Sequence, residues 1–477
     1  MPRADRKPGG VSQLTGAIVI KLKKPARMRN RELVHLGFAF LVVGLASSLV
    51  DLGVTGEMNS QIAWWLGGLA ILVLGVHVVL RVTAPESDPF ILPIAVVLNG
   101  LGIAQIHRLD LAEGYEGWDA GATRQIAWTA IAIGLAIATL IIVRNHRVLQ
   151  RYRYIAMFAA IVLLILPMLP VIGEEQNGAR LWVALGPLSF QPGEFAKVAL
   201  AIFFAGYLVT ARDSLSMVSR PFLGMRLPRA RDLGPILIVF AASMVVLVVQ
   251  RDLGTALLYF GLFLVMIYVA TGRTSWVVLG LLLFVGGVLG ATQLFGYVRG
   301  RFASWLDAFD PSHYDAIGGS YQLVQGLFGL SAGGTFGTGL GRGRPDLTPL
   351  AESDFIIASL GEEIGLVGLF AILGLYLIIV GRAFRIGFAG TDDFGRLLSI
   401  GLGFAIALQV FVVIGGVTRV IPLTGLTTPF LAAGGSSLVA NWIIIALLLR
   451  LSDGVRLGPR IVIETPTEAH PKLVVGS

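Results

Sequence analysis

The sequence contains no cysteine among its 477 residues, and charged residues make up only 14% of it. Without cysteine the chain can form no disulfide bond, no thiolate metal site and no cysteine nucleophile. So few charges, together with 55% hydrophobic residues, exclude a large soluble protein. We therefore expect an all-α polytopic membrane protein.

Apolar runs are long and numerous, and twelve of them are long enough to cross a hydrocarbon layer about 30 Å thick. Each is predicted to form a transmembrane helix. The predicted limits are 33–53, 62–83, 89–107, 124–143, 152–172, 190–209, 233–250, 254–271, 275–292, 354–380, 396–417 and 433–451.

Positive charge is concentrated in alternate loops, which predicts the orientation in the membrane. Residues 1–31 carry nine Lys or Arg and one acidic residue, so the N-terminus should be cytoplasmic. Twelve spans then place the C-terminus in the cytoplasm and the segment 296–353 outside. The net charge of +8 indicates topology and contact with anionic lipids rather than nucleic-acid binding. No cleavable signal peptide is expected before the first span.

The segment 296–353 is the longest stretch between predicted spans. Loops of this length are usually functional or disordered, and the amphipathic run YQLVQGLFGL favours an ordered, functional loop. Its arginines either pair with nearby aspartates or form an anion site, because arginine suits phosphate oxygens. These arginines are Arg299, Arg301, Arg342 and Arg344, and the aspartates are Asp307, Asp310 and Asp346.

Carboxylates also occur where the chain enters and crosses the membrane. Asp354 lies at the mouth of a predicted span, and Glu362 and Glu363 lie two turns or more inside it. A charge at the bilayer centre costs about 3 kcal/mol on translocon scales, so such residues need a role. Asp354 is placed for chemistry at the membrane boundary. The two glutamates either line a cavity beneath it or lock its helix.

Three further polar clusters interrupt apolar helices. Glu194 and Lys197 are three residues apart and therefore lie on one helix face, where they can form an ion pair. This pair either stabilises packing or lines a polar cavity. Asp252, in the run QRDLGTA, lies where a helix breaks beside a cavity. The stretch 418–437 is rich in Pro, Thr and Gly, which predicts an irregular segment.

Six spaced motifs give these clusters a family likeness. In chain order they are NGARLW, QPGEFAK, QRDLGT, SYQLVQ, SDFIIASLGEEIG and PFLAAGGSS. They resemble the SEDS family (shape, elongation, division and sporulation) over about residues 89–451. The resemblance implies a ten-helix core there, so the two helices at 32–88 are an N-terminal addition to it. Composition and charge predict a basic disordered cytoplasmic tail at 1–31 and a cytoplasmic tail at 452–477. The extension is most similar to actinobacterial members of the RodA branch; the FtsW branch is the close relative.

The resemblance implies a peptidoglycan glycosyltransferase of the bacterial plasma membrane. It would polymerise lipid II into β-1,4-linked strands on the outer face with inversion, releasing undecaprenyl diphosphate, for cell elongation and shape. A division-specific polymerase, a lipid II flippase or transporter and a non-catalytic scaffold are the alternatives. Asp354 matches the family aspartate and is the candidate general base. The substrate-binding candidates are Arg180, Trp182, Glu194, Lys197, Gln325, Arg342, Arg344 and Ser436, and the cavity or structural candidates are Asp252, Glu362 and Glu363.

The resemblance also implies partners and leaves some positions in doubt. A class B penicillin-binding protein is the expected partner, with lipid II as substrate and no nucleic acid. Positive charge at the leaving diphosphate would come from arginine or from Mg²⁺ or Mn²⁺, and no organic cofactor is expected. The family stretch L-P-E-x-H-T-D reads TPLAESD here, and two further motif residues differ. The departures are Leu350, Glu352, Ser353, Gly193 and Arg251.

Overall fold

The computed structural model describes most of the chain between residues 26 and 457. The described ranges are 26–170, 172–176, 179–185, 188–216, 221–222, 225–226, 241–242, 244, 248–314 and 319–457. Most of the span predicted at 233–250 and most of both predicted tails lie outside these ranges.

Helices dominate the described residues. They are α1 (Ala26–Val54), α2 (Gln61–Thr83), α3 (Ile91–Glu113), α4 (Gly121–Ile142), α5 (Arg147–Arg151), α6 (Arg153–Ile165), α7 (Pro192–Ser216), α8 (Leu253–Thr271), α9 (Thr274–Leu294), α10 (Gly296–Leu306), α11 (Pro311–Tyr314), α12 (Tyr321–Gly333), α13 (Ile356–Ala389), α14 (Asp393–Val417) and α15 (Gly435–Leu457). Within the described ranges ten of them are long and apolar enough to cross a membrane, namely all except α5, α6 and α10–α12. These ten coincide with ten of the twelve predicted spans, and the prediction of a helical, multi-pass membrane protein is confirmed.

The run predicted as a span at 152–172 is shorter than expected. Helix α6 passes at Leu166–Met168 into a 3₁₀ turn that contains Pro167, because proline has no N–H to continue a helix. A small antiparallel sheet follows, which the sequence did not predict. Its strands are β1 (Gly173–Gln176), β2 (Ala179–Leu185) and β3 (Leu188–Phe190), and two short paired strands, β4 (Pro221–Phe222) and β5 (Met225–Arg226), follow α7.

Burial separates central helices from lipid-facing ones. Most residues of α3 and α14 are buried, and in α15 the Trp442 side chain is completely covered. Helix α9 is the opposite case, since Leu281, Leu282 and Leu283 are all more than half exposed. Exposed leucines on a helix that crosses a membrane are in contact with lipid rather than water.

The described part of the segment 296–353 contains α10, α11, α12 and a 3₁₀ turn at Pro345–Leu347. Residues 315–318 are not described. Helix α12 packs its apolar face, including Leu323 and Val324, against Phe355 and Ala358 at the start of α13. This apolar cluster fixes the position of the chain just before α13, where Asp354 lies.

Candidate active site

Asp354 lies in the turn between the 3₁₀ helix at Pro345–Leu347 and α13. In that turn the carbonyl of Leu350 accepts hydrogen bonds from the N–H groups of Ser353 and Phe355, both at 3.1 Å. Leu350 has a φ of 56°, an unfavourable backbone conformation for leucine that surrounding contacts must stabilise. The half-buried Asp354 side chain lines a cavity of about 520 Å³. Its other walls include Arg301, Trp305, Ser320, Gln322, Leu423 and Gly425.

The environment of Asp354 changes its acidity. Burial raises the pKa of its carboxyl from an ordinary 3.8 to about 6, and the negative charges of Glu352 and Asp252 act in the same direction. The positive charge of Arg301 opposes this rise in the pKa. The Arg301 guanidinium is held in place by the carbonyls of Leu423 and Thr424, at 3.2 and 3.0 Å. The cavity therefore contains a carboxylate of raised basicity beside a fixed cation.

The ion pair predicted within α7 is formed and has a third member. Lys197 Nζ donates to Glu194 Oε2 and also to Oε1 of Gln409, at 2.9 Å. The Gln409 amide nitrogen reaches the carbonyl of Thr427 at 3.0 Å and Glu194 Oε1 at 3.4 Å. Lys197 and Glu194 are only 2% and 5% exposed, so the pair is buried inside the helical bundle.

Asp252 connects this buried pair to the Asp354 cavity. It caps the N-terminus of α8 by accepting a hydrogen bond from the Thr255 N–H at 2.9 Å. Burial raises the pKa of Asp252, and hydrogen bonds from the hydroxyl and the N–H of Thr255 lower it. The positive charge of Arg301 also lowers this pKa, and the negative charge of Glu194 raises it. Asp252 of the QRDLG motif is thus within electrostatic range of both Glu194 of QPGE and Asp354 of the SD motif, and the charge of Arg301 acts on both aspartates.

Glu362 and Glu363 hold the glycine loop, which we define as residues 333–344. Glu363 accepts hydrogen bonds from Arg108 Nε at 2.8 Å and from the Gly341 N–H at 3.0 Å. Glu362 accepts one from the Arg344 N–H at 2.6 Å. Of the two readings that the sequence left open, the structure places both side chains in the role that locks helix and loop together.

A break in α13 allows further hydrogen bonds between this helix and the glycine loop. Gly365 has a φ of 66°, so the helix backbone is interrupted there. The N–H groups of Leu366 and Val367 instead donate to the carbonyls of Gly334 and Thr335, at 3.0 and 3.1 Å. The loop therefore supplies acceptors that the helix itself does not provide.

The other predicted substrate-binding residues are not among those that line the Asp354 cavity. Arg180 pairs with Glu175 at 3.2 Å on the exposed sheet, and Trp182 lies opposite Glu174 on β2. Gln325 donates to the Tyr314 hydroxyl at 3.2 Å. The Ser436 hydroxyl accepts from the Gln191 N–H at 2.8 Å, and Arg342 is exposed.

The arginines of the segment 296–353 follow neither of the two expected patterns uniformly. Arg344 pairs with Asp346 at 3.3 Å, as the ion-pair reading predicts. Arg299 and Arg301 donate to backbone carbonyls instead. Of these arginines, Arg301 is the one that lines the Asp354 cavity, which makes it the best-placed residue for an anionic group there.

Comparison with known proteins identifies the family. Residues 89–456 match the family model FTSW_RODA_SPOVE, described as "Cell cycle protein". The chain belongs to this family. The match begins after α2, so α1 and α2 precede the part that the family model covers.

Similar members of the FtsW/RodA/SpoVE family support its enzymatic character. The chain is 45% identical to a peptidoglycan glycosyltransferase RodA of Mycobacterium tuberculosis, over 93% of this chain and 94% of the relative. It is 31% identical to a probable peptidoglycan glycosyltransferase FtsW of Trichlorobacter lovleyi, over 78% and 95%. These relatives confirm the prediction of a glycosyltransferase, with the RodA branch more similar than the FtsW branch.

A solved structure of similar fold is part of an assembly. It is described as showing structural coordination of polymerization and crosslinking by a peptidoglycan synthase complex. The matching chain is 26% identical, with a TM-score of 0.60 over 77% of this chain and 97% of that chain.

The positions where this chain departs from the FtsW/RodA/SpoVE motifs have local structural consequences. Arg251 has a φ of 64°, which the proline of the family motif could not adopt, and its guanidinium lies over the Tyr297 ring at 5.9 Å. The carbonyl of Glu352 accepts from the Ala433 N–H at 2.7 Å, while its charge helps to raise the pKa of Asp354. A Cβ at Gly193 would make ordinary van der Waals contacts, at 3.7 Å from the Tyr259 hydroxyl and 3.8 Å from Thr255 Cγ2.

Sequence reasoning did not assign Arg301, Gln409 and Arg108 to the site. Arg301 was visible as one of several arginines in a predicted outer segment, but nothing distinguished it from Arg299. Gln409 and Arg108 lie far in sequence from the glutamates that they contact. The sequence marks them only as strongly polar side chains in or at the end of an apolar run, a pattern that indicates a functional or structural role.

A metal site was left open by the sequence. Among the residues that the structure describes, no group of three or more His, Asp or Glu side chains could hold a metal ion. Mg²⁺ in proteins is commonly held by one or two carboxylates together with substrate phosphates, so a divalent cation at the diphosphate stays a prediction.

Proposed function

We propose that the protein joins lipid II molecules into β-1,4-linked glycan strands on the outer face of the membrane, with Asp354 as the general base. The observation that carries this proposal is that Asp354 and Arg301 line the same cavity, at the end of a membrane-spanning helix. Lipid-linked substrates have tails that stay in the bilayer and reacting sugars outside it. A cavity at the boundary serves both.

The proposed reaction is a single displacement. The 4-hydroxyl of the acceptor sugar gives its proton to Asp354, and its oxygen forms a bond to the anomeric carbon of the donor. The bond from that carbon to the diphosphate breaks, and undecaprenyl diphosphate leaves with the electron pair. Arg301 is the side chain placed to stabilise negative charge that develops on the diphosphate. One base and no covalent nucleophile account for inversion.

The acidity of Asp354 suits this role. A general base is most effective when its pKa lies near the working pH, because it is then both deprotonated and basic. With a pKa of about 6, Asp354 is deprotonated at neutral pH and more basic than an exposed aspartate.

The test of the function is polymerisation by purified protein and lipid II in detergent, where no membrane sides exist. Glycan polymer under these conditions supports the enzyme. A protein that folds but forms no polymer, with or without the expected partner, would favour the flippase or the scaffold.

We propose that the role is cell elongation and shape, with a class B penicillin-binding protein as partner. The higher identity to a RodA relative supports the first part, and likeness to a chain of a peptidoglycan synthase complex supports the second. The partner is expected to increase the polymerisation rate in the same assay. No change on adding it, despite demonstrated binding, would contradict an activating role.

We propose cytoplasmic termini and an outer location for the segment 296–353, from the charge of the loops. The absence of native cysteine allows a direct measurement. A cysteine at Ser312, an exposed position beside Asp310, should react with a membrane-impermeant thiol reagent in intact cells. Reaction only after permeabilisation would reverse the orientation.

The pH dependence of polymerisation should depend on Arg301. In the parent protein the rate is expected to fall as the pH drops through about 6, because Asp354 becomes protonated. Arg301→Gln removes a charge that lowers this pKa, so the fall should begin at a higher pH. The deficit relative to the parent will then be larger at pH 6 than at pH 8. Arg299→Gln, whose guanidinium contacts the carbonyls of Thr292 and Gln293, is the matched control and should keep the parental profile.

A further inference from the structure

Helix α1 meets the glycine loop at its C-terminal end. Gly53 of α1 and Gly341 of the loop lie against each other so closely that neither has room for a side chain. A Cβ on Gly53 would overlap the carbonyl oxygen of Leu340 and lie 2.9 Å from the Gly341 Cα. A Cβ on Gly341 would lie 2.7 Å from the Val50 carbonyl oxygen.

A polar contact fixes the same end of α1 to α3. The completely buried Asp51 carboxylate contacts His107 Nε2 at 2.9 Å and accepts from the Asn59 N–H at 2.8 Å. The Trp65 ring of α2 lies edge-on against the His107 ring, with centroids 5.0 Å apart. Both helices that precede the family match are therefore attached to one residue of α3.

The next residue of α3 carries the connection to the glycine loop. Arg108 donates to Glu363 at 2.8 Å and to the Gly343 carbonyl at 2.6 Å. The loop is thus held from three directions, by α1, by α3 and by the glutamates of α13. The chain then runs from Arg344 through the 3₁₀ helix to the turn that contains Asp354.

We propose that α1 and α2 form a built-in clamp on the glycine loop, and that Gly53 is a positioning residue for the reaction at Asp354. This inference rests on the proposed function. A loop released from Gly53 would shift both the segment before Asp354 and the contacts of Glu362 and Glu363 that fix the start of α13. Small displacements of reacting groups reduce turnover strongly.

Gly53→Ala tests the clamp, because Gly53 has an ordinary helical backbone and the added methyl group affects only the close approach. Polymerisation is expected to fall about tenfold through kcat, with KM little changed, because no residue of the glycine loop is among those that line the Asp354 cavity. Gly37→Ala is the control on the same helix, where a Cβ meets nothing within 4 Å.

Cysteine labelling reports the loop independently of activity. Leu340 is half-buried and its backbone carbonyl lies against Gly53, so Leu340→Cys should react several-fold faster with a thiol reagent when Gly53→Ala is also present. Phe336→Cys, at a position where the native side chain is 82% exposed, should react at the same rate in both backgrounds. An unchanged rate at position 340 overturns the clamp whatever the activity, and faster labelling with full activity overturns the positioning role. A parent that makes no polymer would contradict the proposed function but leave the labelling result decisive for the clamp.

Asp51→Asn keeps the proposal testable if Gly53→Ala does not fold. Asparagine weakens the contact with His107 without adding volume. We therefore expect faster labelling at position 340 and a lower kcat, both to a smaller extent than in Gly53→Ala. If this variant folds and both labelling at position 340 and kcat stay at parental values, the clamp is wrong.

Discussion

Asp354→Asn is expected to reduce polymerisation of lipid II by roughly 100- to 10,000-fold, the usual contribution of a general base. Asparagine keeps the size and the hydrogen-bonding capacity of the side chain but cannot accept the proton of the acceptor hydroxyl. The measurement is the rate of glycan formation by purified protein, with parent and variant at matched concentrations.

Thermal unfolding separates this loss from misfolding. Because burial raises the pKa of Asp354, the folded chain binds its proton more tightly than the unfolded chain does. The stability of the parent should therefore fall as the pH rises from about 4 to about 6, and asparagine removes this loss. The melting temperature of the variant should exceed that of the parent at pH 7 to 8 and equal it near pH 4.

Asp310→Asn is the control for this substitution. Asp310 is an exposed carboxylate of the same segment that accepts hydrogen bonds from the N–H and the hydroxyl of Ser312. This variant should retain most of the activity. Near-parental polymer from well-folded Asp354→Asn would refute the assignment, and the base would have to be sought at Glu352, at Asp252, or at Asp315, which lies outside the described residues.

Lys197→Ala is expected to have the largest effect on stability. It leaves the buried Glu194 carboxylate without its lysine partner, and removing one partner of a buried pair typically costs about 3–5 kcal/mol. Folded yield, melting temperature and polymerisation should all fall. Arg212→Ala breaks an exposed pair with Asp393 and should change stability by about 1 kcal/mol or less.

A double variant tells a structural pair from one that shapes the substrate site. Glu194→Gln with Lys197→Met removes both charges, so no unpaired charge remains in the bundle. If the pair only stabilises packing, this variant should regain both folding and activity. If it shapes the substrate cavity, the double variant should fold but polymerise poorly. Parental stability and activity in Lys197→Ala would exclude both roles.

Residue spacing alone was sufficient for local features of this protein. The lengths of the apolar runs predicted ten spans that the structure contains, and a separation of three residues predicted the contact of Glu194 with Lys197. The position of Asp354 before a span followed in the same way. These features depend on neighbours within one helix or on the thickness of the bilayer, both of which can be read along the chain.

Tertiary packing decided which distant groups meet. Arg301 lies 53 positions before Asp354, Gln409 lies 212 positions after Lys197, and Arg108 lies 255 positions before Glu363. No helical or strand period connects such separations. Which residues come together depends on the order in which helices pack and on glycines that permit close approach, as Gly53 and Gly341 do. For that reason the sequence is compatible with two roles for Glu362 and Glu363, lining a cavity or locking a helix. Only the folded chain shows that both side chains hold the glycine loop.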